Sequence, residues 1–193
     1  MLPIKRISLS VVSICSMALQ AAAPEGWYMA GNKPAAYDTG VDKAATYNGL
    51  ASAYLKSNQP AIEGFGTLMQ DFKADQYQGK RVRFSAFVRS EDVKDWAGLW
   101  MRVDKGTGAS MKSLAFDNMQ DRPIKGTTGW QNYEVVLDVA SDATGVFFGI
   151  LLSGTGSVWL NSAKIEVVPT TVPVTGHSTR TPSDTPQNLD FQK

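Results

Sequence analysis

Short runs in which apolar and polar residues alternate, separated by glycine and polar turns, occupy the chain from residue 27 to residue 168. The clearest run covers residues 80–89, where Val82, Phe84, Ala86 and Val88 alternate with Arg81, Arg83, Ser85, Phe87 and Arg89. Successive side chains of a strand point to opposite faces, so this pattern predicts a half-buried β-strand. After residue 23 a helical period lasts no longer than a turn or two, and we therefore expect an all-β domain.

Further strands are predicted at residues 50–56, 64–72, 95–104, 112–117, 131–138, 146–152 and 157–168. Residues 146–152 are apolar on both faces, as in a central strand of a sandwich. Gly154 and Gly156 separate the last two segments and favour the positive φ of a tight hairpin turn. Turn signals about every 8–12 residues are typical of an antiparallel β-sandwich or barrel.

The first 23 residues differ in composition from the rest. Lys5 and Arg6 precede an uncharged apolar stretch at residues 7–19, and three alanines follow at 21–23. This order predicts a secretory signal peptide, cut one or two residues before the end of the alanine run because Pro24 follows it. The stretch is shorter than the roughly 20 residues that span a membrane. We expect an exported protein, periplasmic or secreted, with no membrane span in the mature chain; the alternative is a buried N-terminal helix.

The composition changes again after residue 168, where proline, threonine and serine become frequent. Such a segment has too few apolar residues for a core of its own. We therefore predict a signal peptide at 1–23, a sandwich domain at 24–169 and an extended tail at 170–193.

Charge and residue inventory exclude several functions. Without Lys5 and Arg6, the 19 basic residues of the chain become 17 against 18 acidic ones, which does not favour nucleic-acid binding. The only cysteine, Cys15, lies in the predicted signal peptide, and the only histidine, His177, lies in the tail. A Ser-His-Asp triad, a cysteine nucleophile and a histidine zinc site all lack their parts.

Three segments carry a resemblance to a known family: YNGLASAYL at 47–55, YQGKRVRFSAFV at 77–88, and TTGWQNY at 127–133 followed by GTGSVWLN at 154–161. In this order they resemble the jelly-roll carbohydrate-binding modules that bind xylans and glucans, within the galactose-binding-like superfamily. The resemblance implies an antiparallel jelly-roll β-sandwich.

A closer resemblance is to uncharacterised bacterial domains, and its motifs are GFGTLMQ at 64–70, WAGLWMRVD at 96–104 and FDNMQ at 116–120. Some such domains accompany a helix-turn-helix region and are labelled transcription regulators. This sequence shows no pattern of that kind.

The carbohydrate-binding modules often hold a structural calcium ion with an aspartate pair on the last strand. Asn161 and Ser162 stand at the matching positions here. Calcium prefers several oxygen ligands, usually with carboxylates among them. Structural calcium is therefore an open question, and the sequence implies no other cofactor.

A set of polar and aromatic residues on strand faces forms the predicted ligand site. Aromatic rings stack on the C–H faces of sugars, while arginine and aspartate bind hydroxyl groups. We expect neighbouring strands to bring these residues onto one concave sheet face, with Trp27 and Tyr28 approaching from the N-terminal side. The predicted site residues are Arg83, Phe87, Trp100, Arg102, Asp104, Asp117, Asn118 and Arg122. The alternative for the arginines is a solvated outer face.

Three functions fit this sequence. The first is an exported, non-catalytic binding module for a glycan or a similar polar ligand. The second is a small-molecule cyclase or isomerase on the same fold, in which a buried Asp104 or Asp117 donates a proton. The third is a structural protein that binds an envelope partner. An open groove with exposed aromatic rings favours a binder, and a deep apolar pocket favours an enzyme.

Overall fold

A computed structural model of the protein describes residues 22–176. Most of the predicted signal peptide, at 1–21, lies outside the described residues, as does the part of the predicted tail at 177–193 that includes His177. Within the described part of the chain, no helix is long and apolar enough to cross a membrane.

Antiparallel strands dominate the described residues, which confirms the all-β jelly-roll sandwich. The nine strands of this part are β1 (Tyr28–Gly31), β2 (Tyr37–Tyr47), β3 (Leu50–Ser57), β4 (Phe65–Lys73), β5 (Arg81–Lys105), β6 (Lys112–Asp117), β7 (Ile124–Asp138), β8 (Gly145–Ser153) and β9 (Ser157–Val168). The predicted bounds of β6 and β9 agree with the structure to the residue. The sequence analysis missed β1 and β2.

Strand β5 is 25 residues long and belongs to both layers of the sandwich. Its first half, from Arg81 to Glu91, pairs with β7 on one side and β9 on the other. Its second half, from Trp96, pairs with β8 and β6. We call β2, β3, β9, the first half of β5 and β7 layer I. Layer II consists of β1, β4, β8, the second half of β5 and β6.

The core lies between the two halves of β5. Val82, Phe84 and Val88 in the first half are fully buried, as are Leu99 and Met101 in the second. All of them belong to one hydrophobic cluster, which also includes the inner side chains of β4, β8 and β9. The residues that alternate with them therefore face outward, from layer I in the first half and from layer II in the second.

The turn after β8 is not the predicted hairpin. Strand β8 pairs with β4 and β5, whereas β9 pairs with β3 and β5, so the turn crosses from layer II to layer I. Gly154 and Gly156 have the expected positive φ, of 69° and 137°. The prediction of a hairpin was wrong because turn residues indicate a reversal of the chain but not which strands pair after it.

Residues 170–176, the described part of the predicted tail, pack back on layer I. The Arg81 guanidinium donates from Nη1 to the carbonyl oxygens of Thr170 and Val172, at 2.7 and 2.6 Å. The backbone N–H of Thr175 donates to the carbonyl of Val136 at 2.9 Å, and the Thr175 hydroxyl oxygen accepts from the Val136 N–H at 2.7 Å. These contacts tie this segment to β5 and β7.

Candidate functional site

A groove of about 590 Å³ crosses the outer face of layer II. The strand register places its residues in rows that run from one edge of the layer towards the other. One row is Tyr28 on β1, Met69 on β4, Gly149 on β8 and Trp100 on β5. The next row is Asp71 on β4, Phe147 on β8, Arg102 on β5 and Phe116 on β6.

The floor of the groove is a small apolar cluster separate from the main core. Met69, Trp100 and Leu151 are each 7–8% exposed and pack together. The indole Nε1 of Trp100 donates to Oγ1 of Thr67 at 2.7 Å, and this hydroxyl donates in turn to the carbonyl of Ile150 at 2.9 Å. Trp100 is therefore a fixed part of the floor, with its one polar atom already bonded inside the protein.

Two exposed aromatic rings lie at the edges of the layer. Tyr28 on the edge strand β1 is 41% exposed, and Phe116 on the opposite edge strand β6 is 48% exposed. The Tyr28 hydroxyl donates to Oδ1 of Asp71 at 2.7 Å. Burial and this hydrogen bond raise the pKa of Tyr28 to about 12, so the phenol keeps its proton at neutral pH. Both rings can contact a ligand in the groove.

Arg102 presents a positive charge in the middle of the apolar groove. Its guanidinium lies over the ring of Phe147, with Cζ 5.0 Å from the ring centre. Nε and Nη2 of Arg102 contact Oδ2 of the buried Asp104 at 2.9 and 2.8 Å. Asp104 and Phe147 also line a second cavity of about 530 Å³, together with residues 106–108 and Met111. The arginine is thus held in place from below.

Asp117 and Arg122 bind each other beside the groove. Nη1 and Nη2 of Arg122 donate to the two carboxylate oxygens of Asp117, which also accepts from the Met119 backbone N–H at 2.9 Å. Burial alone would raise the pKa of Asp117, but the hydrogen bonds, first those from Arg122, lower it below its ordinary value. Oδ1 of Asn118 accepts from the N–H of Gln120 at 3.1 Å. These contacts fix the loop after β6, and Asp117 and Asn118 line a small cavity of about 190 Å³ there.

Arg83 and Phe87 do not join the other predicted site residues. They lie on the first half of β5 and face outward from layer I, on the opposite side of the sandwich from Trp100 and Arg102. The expectation of one shared face was wrong because the two segments are halves of one strand. The guanidinium of Arg83 contacts carboxylates of Glu134 and Glu166, at 3.5 and 3.2 Å.

Phe87 belongs to an aromatic group on layer I. Its ring stacks on that of Tyr47, with centroids 4.1 Å apart, and the Tyr47 ring lies 5.5 Å from that of Trp130. Ligand binding by Arg83 and Phe87 remains a prediction, and it would take place on the outer face of layer I.

Several groove residues were not found from the sequence: Phe65, Met69, Phe116, Phe147 and Leu151. The run 146–152 was interpreted as buried on both faces, whereas Phe147 and Leu151 of β8 face the groove. The glycine between them at 149 was the available signal that this run is not an ordinary core strand, because a glycine inside a strand often marks a place where another backbone approaches closely.

The two positions at which the sequence resemblance left calcium open, Asn161 and Ser162, hold a hydrogen-bonded amide. Nδ2 of Asn161 donates to three oxygen atoms, and its Oδ1 accepts from the hydroxyl of Ser162 at 3.0 Å. No carboxylate takes part, and no group of three metal-binding side chains occurs in residues 22–176. These residues do not fit a calcium ion as they stand.

No family model matches the chain. A protein of Bacillus subtilis (strain 168), named an uncharacterized HTH-type transcriptional regulator YbfP, is 43% identical over 173 residues. The match covers 88% of this chain and 57% of that protein, so the chain spans little more than half of the relative's length.

Solved structures share the fold. The CBM22-1 xylan-binding domain of Xyn10C from Paenibacillus barcinonensis superposes with a TM-score of 0.52 at 14% identity, over 77% of this chain and 90% of that domain. A family 30 carbohydrate-binding module of a cellulosomal cellulase from Clostridium thermocellum gives 0.51 at 16% identity, over 76% and 94%. The fold is therefore that of carbohydrate-binding modules, as the sequence resemblance implies.

Proposed function

We propose that the protein is a non-catalytic binding module for a glycan or a similar polar ligand, which lies in the groove on layer II. One observation carries the proposal: Arg102 stands between the exposed rings of Tyr28 and Phe116, above an apolar floor. Sugar rings combine apolar C–H faces with hydroxyl groups, so they suit aromatic rings beside a fixed hydrogen-bond donor. The xylan-binding domain and the cellulase module with the same fold support this class of ligand.

The charges near the groove favour a neutral ligand. The Arg102 charge is balanced by Asp104, and Asp71 accepts from Tyr28 without a cation in contact with it among the described residues. An anionic polymer such as a polyuronate would meet carboxylates close to the one arginine. A neutral glycan needs only hydrogen bonds, which these groups supply.

The contacts of the two candidate acids support binding over catalysis. Asp104 and Asp117 are each in an ion pair with an arginine. Because its pKa lies below the ordinary value, Asp117 is a carboxylate at neutral pH and has no proton to donate. Asp117 therefore does not fit the role of proton donor in a cyclase-like reaction.

A second candidate function follows from the Bacillus subtilis relative, whose name is that of a transcriptional regulator. In such a protein the part shared with this chain would bind the small molecule to which the regulator responds. The groove would then accept a mono- or oligosaccharide, and a polysaccharide would bind no better than its short fragments. Affinities for a series of lengths distinguish the two candidates.

Export is a further part of the proposal, supported by the basic, apolar and alanine-rich order of the first 23 residues. N-terminal sequencing of the protein from the cell envelope and the medium tests it, and a new N-terminus next to residues 21–23 is expected. Intact protein confined to the cytoplasm would contradict export. An envelope protein becomes the expected partner if no glycan binds.

Affinity electrophoresis in gels that contain xylan, β-glucan or other neutral polysaccharides tests the binding function. At least one polymer should slow the wild-type protein, and Phe116→Ala should abolish most of this retardation. Leu114→Ala is the matched control, because Leu114 lies on the same strand, is 42% exposed and is not among the groove residues. Equal retardation of both variants would place the ligand elsewhere. No retardation by any polymer, together with no measurable affinity for any oligosaccharide, would refute glycan binding.

A further inference from the structure

We infer that the side-chain amide of Asn161 fills a site of converging oxygen atoms that would otherwise suit a calcium ion, and that this fold is therefore stable without metal. The inference does not depend on the proposed function. It starts from the last strand, where Asn161 on β9 is 7% exposed and faces the hairpin between β2 and β3.

Three oxygen atoms of β3 converge on one nitrogen atom. Nδ2 of Asn161 lies 3.1 Å from the carbonyl oxygen of Leu50, 3.1 Å from that of Ala51 and 2.9 Å from Oγ of Ser52. Ser52 is completely buried. Convergent oxygen atoms in a buried site are what a hard cation requires, and here an amide with two N–H groups satisfies them instead.

The surroundings fix the orientation of this amide. The carbonyl oxygens of Leu50 and Ala51 can only accept hydrogen bonds, so they require the nitrogen on their side. On the other side, Oδ1 accepts from the Ser162 hydroxyl at 3.0 Å. A reversed amide would place oxygen against carbonyl oxygen, which only a cation between them would stabilise. The nitrogen therefore supplies the positive partial charge at this position.

The consequence for stability is specific to one atom. In Asn161→Asp the nitrogen is replaced by a carboxylate oxygen that faces two carbonyl oxygens and repels them. A calcium ion could then bind between the new carboxylate and the oxygens of β3, because carboxylate and carbonyl oxygens are its usual ligands. The single substitution should turn a metal-independent site into a calcium-dependent one.

Thermal unfolding of the full protein in chelator and in excess calcium chloride tests this inference. The wild-type midpoint should be the same in both conditions. In chelator, Asn161→Asp should lower the midpoint by about 3–10 °C, and calcium should restore part of this loss. Asn161→Ala should lower the midpoint equally in both conditions, since it removes the donor and adds no ligand.

Asn132→Asp is the matched control. Asn132 pairs with Phe87 on the side opposite to Asn161, is exposed and should tolerate the same change of charge in either condition. A wild-type midpoint that rises with calcium, or an Asn161→Asp protein that does not respond to calcium, would overturn the inference. Neither result depends on whether the groove binds a glycan.

Discussion

Nη2 of Arg102 lies 2.8 Å from Oδ2 of Asp104, yet the two side chains differ in exposure, at 34% for the arginine and 2% for the aspartate. The buried carboxylate is thus the fixed partner, and the guanidinium is the part that a ligand can reach. Both contacts with Arg102 are made by Oδ2 of Asp104, and Oδ1 has no hydrogen-bond partner in the described part of the chain.

We predict that Asp104→Asn lowers the free energy of unfolding by about 1–3 kcal/mol. Removing one partner of a fully buried ion pair costs more free energy than this. The loss is smaller here because the Arg102 guanidinium is partly exposed and remains partly hydrated. Urea denaturation measures the change. Binding to any polymer that retards the wild type should also weaken, because Arg102 loses its fixed position.

The control for this prediction is an exposed pair of the same kind. Lys105 Nζ lies 2.7 Å from Oδ2 of Asp142, and both side chains are more than half exposed. Asp142→Asn should leave the urea midpoint and the binding unchanged, since exposed ion pairs contribute little. Equal losses in the two variants would show that burial of Asp104 is not what stabilises its pair.

A second prediction concerns Trp100 and separates its contribution to stability from its contribution to binding. Trp100→Phe keeps an aromatic ring on the floor and loses the bond from Nε1 to Thr67, which should cost about 1 kcal/mol. Trp100→Ala leaves a cavity in the floor cluster and should cost about 3–5 kcal/mol. Denaturation of both variants, with affinity electrophoresis in parallel, separates the two effects. Full binding by a folded Trp100→Ala protein would exclude the groove as the site.

Local pattern was enough to predict seven of the nine described strands and the core face of β5, but it did not show which strands are neighbours. In residues 80–89 the alternating apolar residues Val82, Phe84, Ala86 and Val88 belong to the main core, and so do Leu99, Met101 and Val103 in residues 95–104. Whether two such segments lie side by side or follow one another in a single long strand depends on contacts far apart in sequence. For this reason Arg83 and Trp100 were expected on one face and lie on opposite layers.

The candidate site was only partly predictable for the same reason. Trp100, Arg102 and Asp104 share one strand, so their alternation alone placed them on one face. Met69 and Phe147 come from β4 and β8, and the pairing of three strands brings them beside Trp100 and Arg102. Apolar residues such as these are core residues in most sandwiches, and their sequence does not distinguish a groove floor from a core.

Asp42 predicts a change of stability with pH. Hydrogen bonds from the indole of Trp159 at 2.9 Å, then from the N–H groups of Ala45 and Ala44, lower the pKa of this carboxyl group to about 2. A carboxyl group with a lowered pKa in the folded state stabilises the protein above its unfolded pKa of about 4, and this contribution is lost as the pH falls towards 2.

The difference in unfolding free energy between the wild type and Asp42→Asn should therefore shrink between pH 4 and pH 2. Other carboxylates with lowered pKa values, such as Asp117 and Asp138, titrate in both proteins and cancel in this difference. Urea denaturation at a series of pH values, followed by tryptophan fluorescence, gives the result. A difference that stays constant across this range would contradict the role of Asp42.

Gly149 supplies the last prediction, because the backbone of β4 lies against the middle of β8 where this residue has no side chain. A Cβ atom there would overlap the carbonyl oxygen of Leu68 and lie 2.8 Å from Cα of Met69, both on the backbone of β4. Gly149→Ala should therefore force β4 away from β8, lower the free energy of unfolding by about 1–3 kcal/mol and displace Met69 from the groove floor.

Gly129→Ala is the control, since a Cβ at residue 129 on β7 meets nothing within 4 Å, and it should change stability by no more than about 0.5 kcal/mol. Urea denaturation and affinity electrophoresis measure both effects, and a Gly149→Ala protein as stable as Gly129→Ala would show that β4 does not approach β8 so closely.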